Sequence, residues 1–291
     1  MTRIKHFVAG LCLLLITSGV SAEQVQLRLC TASAAGNYYM SGQEISRQVK
    51  RRGIDIDVLE TSGSMDNLQK IAAAECDAGI VQIDAYLVYQ DAHSDDRLDI
   101  KRPLHLYDEY VHLVCNRESG IDSIKDLRAR QDGRALLIGP DTSGGAITWD
   151  SFTLQASDYA GVATENIGGK EALDRVAEGS SANCMLYVSG LRSEYSSNID
   201  QSGDGLRLAT VDDKDLNKTK FAGKPIYSFQ KIPAEAYPRL QADGGEVLTL
   251  TVRAILVVSS AWASTFPNSF QRLSDGVDRA LPEIVRRVST P

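Results

Sequence analysis

The sequence has few of the side chains that enzymes use to move protons. Only four of its 291 residues are histidines, and it lacks both the Gly-Lys-Ser/Thr of a phosphate-binding loop and the Gly-x-Ser-x-Gly of a hydrolase. Asp108 and Glu109 are adjacent in a strand pattern, so their side chains point to opposite faces and cannot act as a catalytic pair. These absences predict that the protein is not an enzyme.

Basic residues are scarce relative to acidic ones. The chain holds 31 Lys and Arg against 38 Asp and Glu, and two of the basic residues lie in the N-terminal leader described below. Without that leader the balance is 29 against 38, a net charge of −9. Because a protein that binds nucleic acid needs a basic face, we expect no nucleic-acid partner.

Cysteines are also few, and no two have the spacing of a zinc-ligand pair, which argues against a zinc site. We expect no metal site and no cofactor. Outside the leader there are four: Cys30, Cys76, Cys115 and Cys184. An even number in an exported chain permits disulfides, but the sequence does not choose among three connectivities. Each cysteine also adjoins an apolar run, so buried free thiols remain an alternative.

The N-terminal segment has the pattern of a cleaved export signal. Two basic residues precede the apolar stretch FVAGLCLLLITSGV, which is short for a membrane span, and VSA at 20–22 supplies the small residues that a signal peptidase recognises. We therefore expect residues 1–22 to be a signal peptide that is removed on export to the periplasm. No later stretch is apolar enough to predict a membrane span.

A unit of strand, break and helix recurs along the chain. QLRLC at 26–30 has a strand pattern, the small residues of TASAAGN break it, and a helical pattern follows until Gly53. The same order returns in IDIDVLE, TSGS and MDNLQKIAAAE, and again in ALLIG, PDTSGG and AITWDSFTLQAS. Strands that alternate with helices favour parallel sheets with crossover helices, which is an α/β fold.

Two such series are separated by a long strand pattern near residues 108–117, which predicts two lobes with a hinge and an interlobe cleft. The apolar, β-branched segment at 249–260 comes too late for the second lobe, so we expect it to return to the first. We assign 23–116 to the first part of lobe one, 117–230 to lobe two, and 231–291 to the return to lobe one and the C-terminal helices.

The breaks put small residues where α/β proteins bind ligands. Ligands bind beyond the carboxyl ends of the strands, where helix N-termini offer unpaired N–H groups to an anion. Ser64 is expected to cap the second helix, with Asn67 at its third position, and Ser143, Gly144 and Gly145 hold the equivalent place in lobe two. Each break alone is also typical of an ordinary helix cap. Together they predict a cleft lined by hydrogen-bond donors, which suits a carboxylate.

Tyr38 and Tyr39 directly follow the first break. Adjacent residues of a helix point about 100° apart, so one ring should line the cleft while the other packs beneath the helix.

The order and spacing of these motifs resemble the TAXI family, the solute-binding proteins of TRAP transporters, from about residue 25 to the C-terminus. TASAAGNYY is similar to the family's T-G-x-x-G-x-Y-Y, GSMDNL to G-S-x-x-N-L, VQID to V-Q-S-D, and GPDTSGG to G-P-x-G-S-G-T. The resemblance implies a type II periplasmic-binding-protein fold. It also implies a small carboxylate or amino-acid ligand, of the glutamate or 2-oxoglutarate type, and delivery of that ligand to a TRAP-type membrane permease.

The motif positions imply the ligand-binding residues. In chain order these are Thr31, Ser33, Gly36, Asn37, Tyr38, Tyr39, Ser62, Gly63, Ser64, Asn67, Gln82, Asp84, Ser143, Gly144, Gly145 and Arg192. The sequence departs from the family pattern where Ala32 replaces a glycine, where Gly145 replaces a threonine, and at SGLRSEY, where the family has a small residue, a glycine and a proline-containing turn. Arg192 lies in SGLRSEY and is a candidate replacement donor that would grip a carboxylate bidentately. A solvated arginine at a helix start is the alternative.

Two other functions fit the same cleft. A periplasmic sensor that presents its closed form to a signalling receptor needs the same hinge, and the sequence does not separate it from a transport protein. An enzyme would turn over its ligand, and it is the less favoured interpretation.

Overall fold

The computed structural model describes residues 24–95, 98–101, 103–129, 133–191 and 193–289. The expected signal peptide and Arg192 lie outside the described residues. Within the described part, no helix combines the length and the apolar character needed to cross a bilayer.

Strands and helices alternate over most of the chain. The order begins with β1 (Val25–Cys30), α1 (Asn37–Lys50), β2 (Ile54–Leu59), α2 (Ser64–Ala72), β3 (Ala78–Gln82), α3 (Ile83–Ala92) and the long β4 (Leu104–Asn116). It continues with β5 (Ala135–Leu137), α4 (Gly144–Gln155), β6 (Thr164–Glu165), α5 (Gly169–Glu178), β7 (Ala182–Ser189), α6 (Glu194–Gln201) and β8 (Leu206–Ala209). The last elements are β9 (Lys220–Phe221), β10 (Lys224–Pro225), β11 (Tyr227–Ile232), β12 (Val247–Val258), α7 (Ser260–Thr265) and α8 (Pro267–Ser289).

β1 shows how the alternating pattern becomes a strand. Leu27 and Leu29 enter the core, while Arg28 between them faces outward. The Arg28 guanidinium donates to both carboxylate oxygens of Asp77, at 2.9 and 3.0 Å, so even the solvent face of this strand is tied to the loop before β3.

Two sets of parallel strands flank a pair of long antiparallel ones. β2, β1 and β3 are parallel neighbours on one side, and β7, β5 and β6 on the other. β12 and β4 lie between the sets and pair with each other. Because these two strands pair with neighbours in both lobes, ten of the described strands form one hydrogen-bonded network. The α/β fold with two lobes and a cleft between them is confirmed.

The strand register aligns the carboxyl ends of both parallel sets with the same segment of β4. Gln82 ends β3 and is aligned through β12 with Tyr107 of β4. Ser189 ends β7 and pairs with Tyr110. The carboxyl ends of the two parallel sets therefore face each other across a short segment of β4 that contains Glu109.

Among the described residues, three clusters of buried side chains cover the sheet. One packs α1, α7 and α8 onto lobe one and includes Ile45 and Val277, and a second packs α5 and α6 onto lobe two and includes Leu173. The third lies under α2, α3 and α4, includes Leu68 and Phe152, and runs across both lobes. The two lobes are therefore in contact beside the crossing strands, through α3 and α4.

All four described cysteines are disulfide-bonded. Cys30 is joined to Cys76, and Cys115 of β4 is joined to Cys184, its partner across the sheet in β7. The bonded residues are 46 and 69 positions apart in the chain. In the chain-entropy model, each cross-link of that span lowers the entropy of the unfolded chain and so stabilises the folded state by about 4 kcal/mol. The structure selects this pairing over the other two and over free thiols.

Candidate functional site

A cavity of about 440 Å³ opens between the lobes where the strand ends meet. Lobe one contributes Ala32, Ser33, Ala35, Gly36, Asn37, Tyr38, Ser64 and Gln82. Lobe two contributes Gly144, Val188, Ser189, Ser193, Glu194, Tyr195 and Asn198. Glu109 of the crossing strand β4 lies between them. The volume falls in the range of about 300–1,000 Å³ that small-molecule sites occupy.

A hydrogen-bonded network forms the floor of this cavity. The Tyr38 hydroxyl donates to Glu109 Oε2 at 2.8 Å and lies 3.4 Å from Ser64 Oγ. Ser64 Oγ accepts from the backbone N–H of Gln82 at 3.0 Å. None of these four residues is more than 8% exposed. The network therefore joins the starts of α1 and α2 and the end of β3 to β4, away from bulk water.

Glu109 is the acidic group of the floor. Burial raises its pKa to about 8, hydrogen bonds from Tyr38 and Gln82 oppose that rise, and the charge of Asp84 adds to it. No lysine, arginine or histidine is found among the described residues that line the cavity. At neutral pH the Glu109 carboxyl is therefore largely protonated, and a cation placed beside it would draw off that proton.

The side-chain amide of Gln82 has an unpaired acceptor. Its Oε1 is buried and has no hydrogen-bond partner among the described residues. A methyl group at Gly144 would lie 2.7 Å from Oε1 and 2.8 Å from Nε2, so the amide reaches across to the start of α4 in lobe two. An unsatisfied buried acceptor costs about 1–3 kcal/mol, which a ligand that donates a hydrogen bond would recover.

Four of the described helices begin at the cavity. Ser143 and Ser193 cap α4 and α6, and their hydroxyls accept from first-turn N–H groups. The caps of α1 and α2 are instead Gly36 and Gly63, which have no side chain to accept a hydrogen bond. The first-turn N–H groups of α1 and α2 are therefore not bonded to a cap side chain and can donate to a ligand. The helix dipole favours an anion at that position.

Seven of the sixteen residues predicted from motif positions line the cavity. They are Ser33, Gly36, Asn37, Tyr38, Ser64, Gln82 and Gly144. Eight others do not: Thr31, Tyr39, Ser62, Gly63, Asn67, Asp84, Ser143 and Gly145. Of these, Ser143 and Gly145 line an adjoining cavity of about 220 Å³ that shares Gly144.

Asn67 and Thr31 support the site from behind. The buried Asn67 amide donates to the backbone oxygens of Thr31 and Ile80, at 2.6 and 2.7 Å, and accepts from Thr61 Oγ1 at 2.6 Å. Thr31 Oγ1 donates to the backbone oxygen of Leu59 at 2.7 Å. Since every polar atom of these side chains that could reach a ligand is occupied, they fix α2 against the strand ends.

Asp84 joins the two lobes outside the cavity. Its Oδ2 accepts from Thr148 Oγ1 of α4 and from the Tyr227 hydroxyl of β11, both at 2.8 Å, and its Oδ1 accepts from the N–H of Ala85 at 2.8 Å. The carboxylate is 1% exposed, and burial raises its pKa. Its role is to hold α3 against α4.

Two local expectations need correction. Ser64 does not cap α2 but is its first residue, because Gly63 occupies the cap with a φ of 114°, a conformation that favours glycine. Asn67 is accordingly the fourth helical residue. Of the tyrosine pair, Tyr38 both lines the cavity and reaches the core, whereas Tyr39 is half-buried and does neither.

Sequence reasoning missed Glu109 and most of the lobe-two wall. Glu109 shares a strand face with the buried Val111, whereas Asp108 faces outward and binds His105 at 3.1 Å. That alternation was a usable signal for a buried acid. Ser189 is the last residue of β7 and Ser193 follows it, as TASAAGN follows β1, so the same strand-end rule applies to both.

The close packing of α4 on the sheet at Gly145 can be tested by substitution. A β-carbon there would lie 2.6 Å from the backbone oxygen of Leu186 and 2.7 Å from that of Ile138. We expect Gly145→Ala to lower the free energy of unfolding by about 1–3 kcal/mol, because overpacking against rigid backbone outweighs the roughly 1 kcal/mol gain in helix propensity. Chemical denaturation measures this.

Gly161→Ala is the matched control, since Gly161 has an ordinary backbone conformation and open space around its Cα. Its effect should stay within about 0.5 kcal/mol. If Gly145→Ala is equally mild, then α4 does not pack as closely on β5 and β7 as described.

Known proteins share this architecture. The sequence model of the NMT1-like family matches residues 29–265. Among solved structures, a protein described as a periplasmic transporter superposes with a TM-score of 0.54 at 13% identity, over 92% of this chain and 87% of that one. A protein from Bordetella bronchiseptica RB50 has a TM-score of 0.53 at 14% identity, over 91% and 76% of the two chains. A Xanthomonas citri protein bound to ATP has a TM-score of 0.52 at 15% identity, over 90% and 88%. At these identities the likeness concerns the fold.

Proposed function

From the premise that this chain belongs to the NMT1-like family, we propose that it is a periplasmic solute-binding protein. It captures a small organic carboxylate in the cavity between its lobes and delivers it to a TRAP-type membrane permease. The observation that carries the proposal is the cavity itself, whose walls come from both lobes and whose floor is a buried polar network.

The chemistry of the walls supports a carboxylate. Helices α1 and α2 begin at the cavity with glycine caps, so their N–H groups remain available to an anion. The hydroxyl of Ser33 adds a donor from lobe one, whereas the hydroxyls of Ser189 and Ser193 bond to Gly190, to Ser196 and to each other in lobe two. The permease partner is supported by the TASAAGNYY, GSMDNL and GPDTSGG motifs, whose resemblance to the TAXI family concerns the same strand ends that form the cavity.

Binding is proposed to close the lobes. A solute that touches both walls gains all its contacts only when the walls approach, so it shifts the population towards the closed form. The lobes already touch through α3 and α4, where Asp84 bridges to Thr148. Closure must therefore pivot about that contact and the crossing strands β4 and β12. The closed form is what the permease would recognise.

Native mass spectrometry of the protein purified from periplasm tests the ligand class. The expected result is a co-purifying carboxylate whose removal and return are reversible and unaccompanied by turnover. A chemically altered product after incubation would instead indicate an enzyme, and retention of a ligand without a carboxylate would contradict the proposed class.

Small-angle scattering tests the closure. Saturation with the identified solute should shrink the radius of gyration, because the two lobes approach across the cavity. An unchanged profile, with binding confirmed independently, would contradict closure and favour a rigid receptor. A Ser64→Ala variant that loses binding should show no shrinkage under the same conditions, which separates closure from a nonspecific effect of the solute.

A further inference from the structure

We propose that the solute is an α-amino acid whose ammonium group binds Glu109 and the Gln82 amide oxygen, while its carboxylate lies at the N-termini of α1 and α2. The inference rests on the proposed function, because it assigns a ligand class to the same cavity. It separates amino acids from the corresponding 2-oxo acids, which have the same carboxylate but no ammonium.

The acceptors of the floor require a donor. Gln82 lines the cavity, its buried Oε1 has no partner among the described residues, and the Glu109 carboxyl of β4 lies beside the same side-chain amide. An ammonium group has three N–H donors and no acceptor, so it satisfies both oxygens at once. The carbonyl oxygen of a 2-oxo acid has no hydrogen to donate and would leave Gln82 Oε1 unpaired.

The carboxylate of the ligand fits the N-termini of α1 and α2, next to the floor network. Glycine caps leave the first-turn N–H groups of α1 and α2 without side-chain acceptors, and Ser64 lies at the start of α2 while its hydroxyl touches the floor network. One α-carbon separates the ammonium and carboxylate of an amino acid. That short spacing suits a site in which acceptors and helix N-termini lie next to each other.

The charges around Glu109 also favour a positive group. The titratable groups that face it are Tyr38 from α1, Asp84 from α3 and Tyr107 from its own strand, and Glu194 and Tyr195 from α6 line the same cavity. All of these are acidic or neutral. Among the described residues, the walls of the cavity contain no basic side chain.

Proton linkage gives the inference a signature. Burial holds the pKa of Glu109 at about 8 in the empty cavity, so the carboxyl carries a proton at neutral pH. An ammonium group beside it favours the ionised form and releases that proton. Affinity for an amino acid should therefore rise by up to about tenfold per pH unit between pH 6 and 8 and level off above, since proton release drops out once the carboxyl is already ionised.

The experiment is calorimetric titration of the whole protein with matched pairs: L-glutamate and 2-oxoglutarate, L-leucine and 4-methyl-2-oxopentanoate, L-alanine and pyruvate, L-phenylalanine and phenylpyruvate. At least one amino acid should bind ten or more times more tightly than its 2-oxo partner. Repeating that titration at pH 7 in buffers of different ionisation enthalpy should show release of close to one proton. Both measurements use the unaltered protein, so they do not depend on a variant that folds.

Glu109→Gln keeps the size of the side chain and removes its charge. It should weaken binding of the preferred amino acid by tenfold or more and abolish proton release. The affinity for the 2-oxo acid should stay within about threefold of its value in the unaltered protein. Glu118→Gln is the control, because that exposed residue makes the same change just beyond the end of β4. It should leave both affinities and the proton count unchanged.

The outcomes separate this inference from the proposed function. If a 2-oxo acid binds as tightly as its amino acid and no proton is released, the ammonium site is wrong while capture of a carboxylate stands. If no member of any pair binds the folded protein, the carboxylate class fails and the amino-acid assignment fails with it.

Discussion

Asp84→Ala should lower the free energy of unfolding by about 3 kcal/mol, because it leaves two buried hydroxyls without an acceptor at about 1–3 kcal/mol each. The Asp84 carboxylate accepts from Thr148 and Tyr227, which lie on α4 and β11. Relief of the cost of burying a charge offsets part of the loss, since burial already raises the pKa of this carboxyl. Urea denaturation of the variant and the parent measures the difference.

The matched control is Asp91→Ala, which makes the same change at an exposed position of the same helix and should shift stability by no more than about 0.5 kcal/mol. Asp84→Asn keeps one amide oxygen for the two hydroxyls, so its loss should fall between these values. If Asp84→Ala is as mild as Asp91→Ala, the contact between α3 and α4 is not held by this carboxylate, and the pivot proposed for closure is misplaced.

The fold should also lose stability in acid through His112. Its ring is fully buried, stacks on Tyr187 at 4.5 Å, and has Nδ1 2.8 Å from the backbone oxygen of Tyr110 and Nε2 2.9 Å from the Tyr237 hydroxyl. Burial lowers its pKa to about 3. The neutral ring therefore carries its proton on Nδ1, which donates to Tyr110, while Nε2 faces the hydroxyl.

The sign of this effect follows from the direction of the shift. The unfolded chain binds the His112 proton more tightly, with a pKa near 6.5, so the stability from the neutral ring is complete above pH 6.5 and is lost as the pH falls towards 3. Glu109 acts in the opposite sense. Its pKa is raised from 4.5 to about 8, so its contribution is complete below pH 4.5 and is lost as the pH rises to 8.

Between pH 4.5 and 6.5 the effects of His112 and Glu109 on the free energy of unfolding change with pH in opposite directions. The test therefore compares the parent with His112→Phe, which keeps an aromatic ring against Tyr187. The difference in unfolding free energy should be constant above pH 7 and shrink by about 1.4 kcal/mol per pH unit between pH 6.5 and 4. A difference that stays flat, or grows in acid, would show that the folded protein holds this ring protonated.

The sequence predicted the elements well because their patterns are local. Alternation in QLRLC puts Leu27 and Leu29 inside and leaves Arg28 outside, and the breaks at TASAAGN and PDTSGG fall where β1 and β5 meet the following helices. Tyr38, Ser64 and Gln82 come together because parallel strands bring their carboxyl ends to one edge.

Local sequence did not show which residues of each motif line the cavity and which support their neighbours. Asn67 and Asp84 lie as near to strand ends as Ser64 and Gln82 do, but their side chains turn to backbone oxygens and to hydroxyls of the other lobe. Motif positions alone do not distinguish a residue that touches the ligand from one that braces its neighbour. Glu109 was missed for a related reason, because its place at the cleft depends on the register of β4 against β12 and β7, which is set by contacts between residues far apart in the chain.

The most direct test of this account is an experimental structure of the protein with its bound solute. The solute should lie in the cavity within hydrogen-bond distance of Tyr38 or Ser64 in lobe one and of at least one group around Ser193 in lobe two, with Gln82 Oε1 paired. A solute that touches one lobe alone, or that binds outside this cavity, would contradict the claim that the facing strand ends form the binding site.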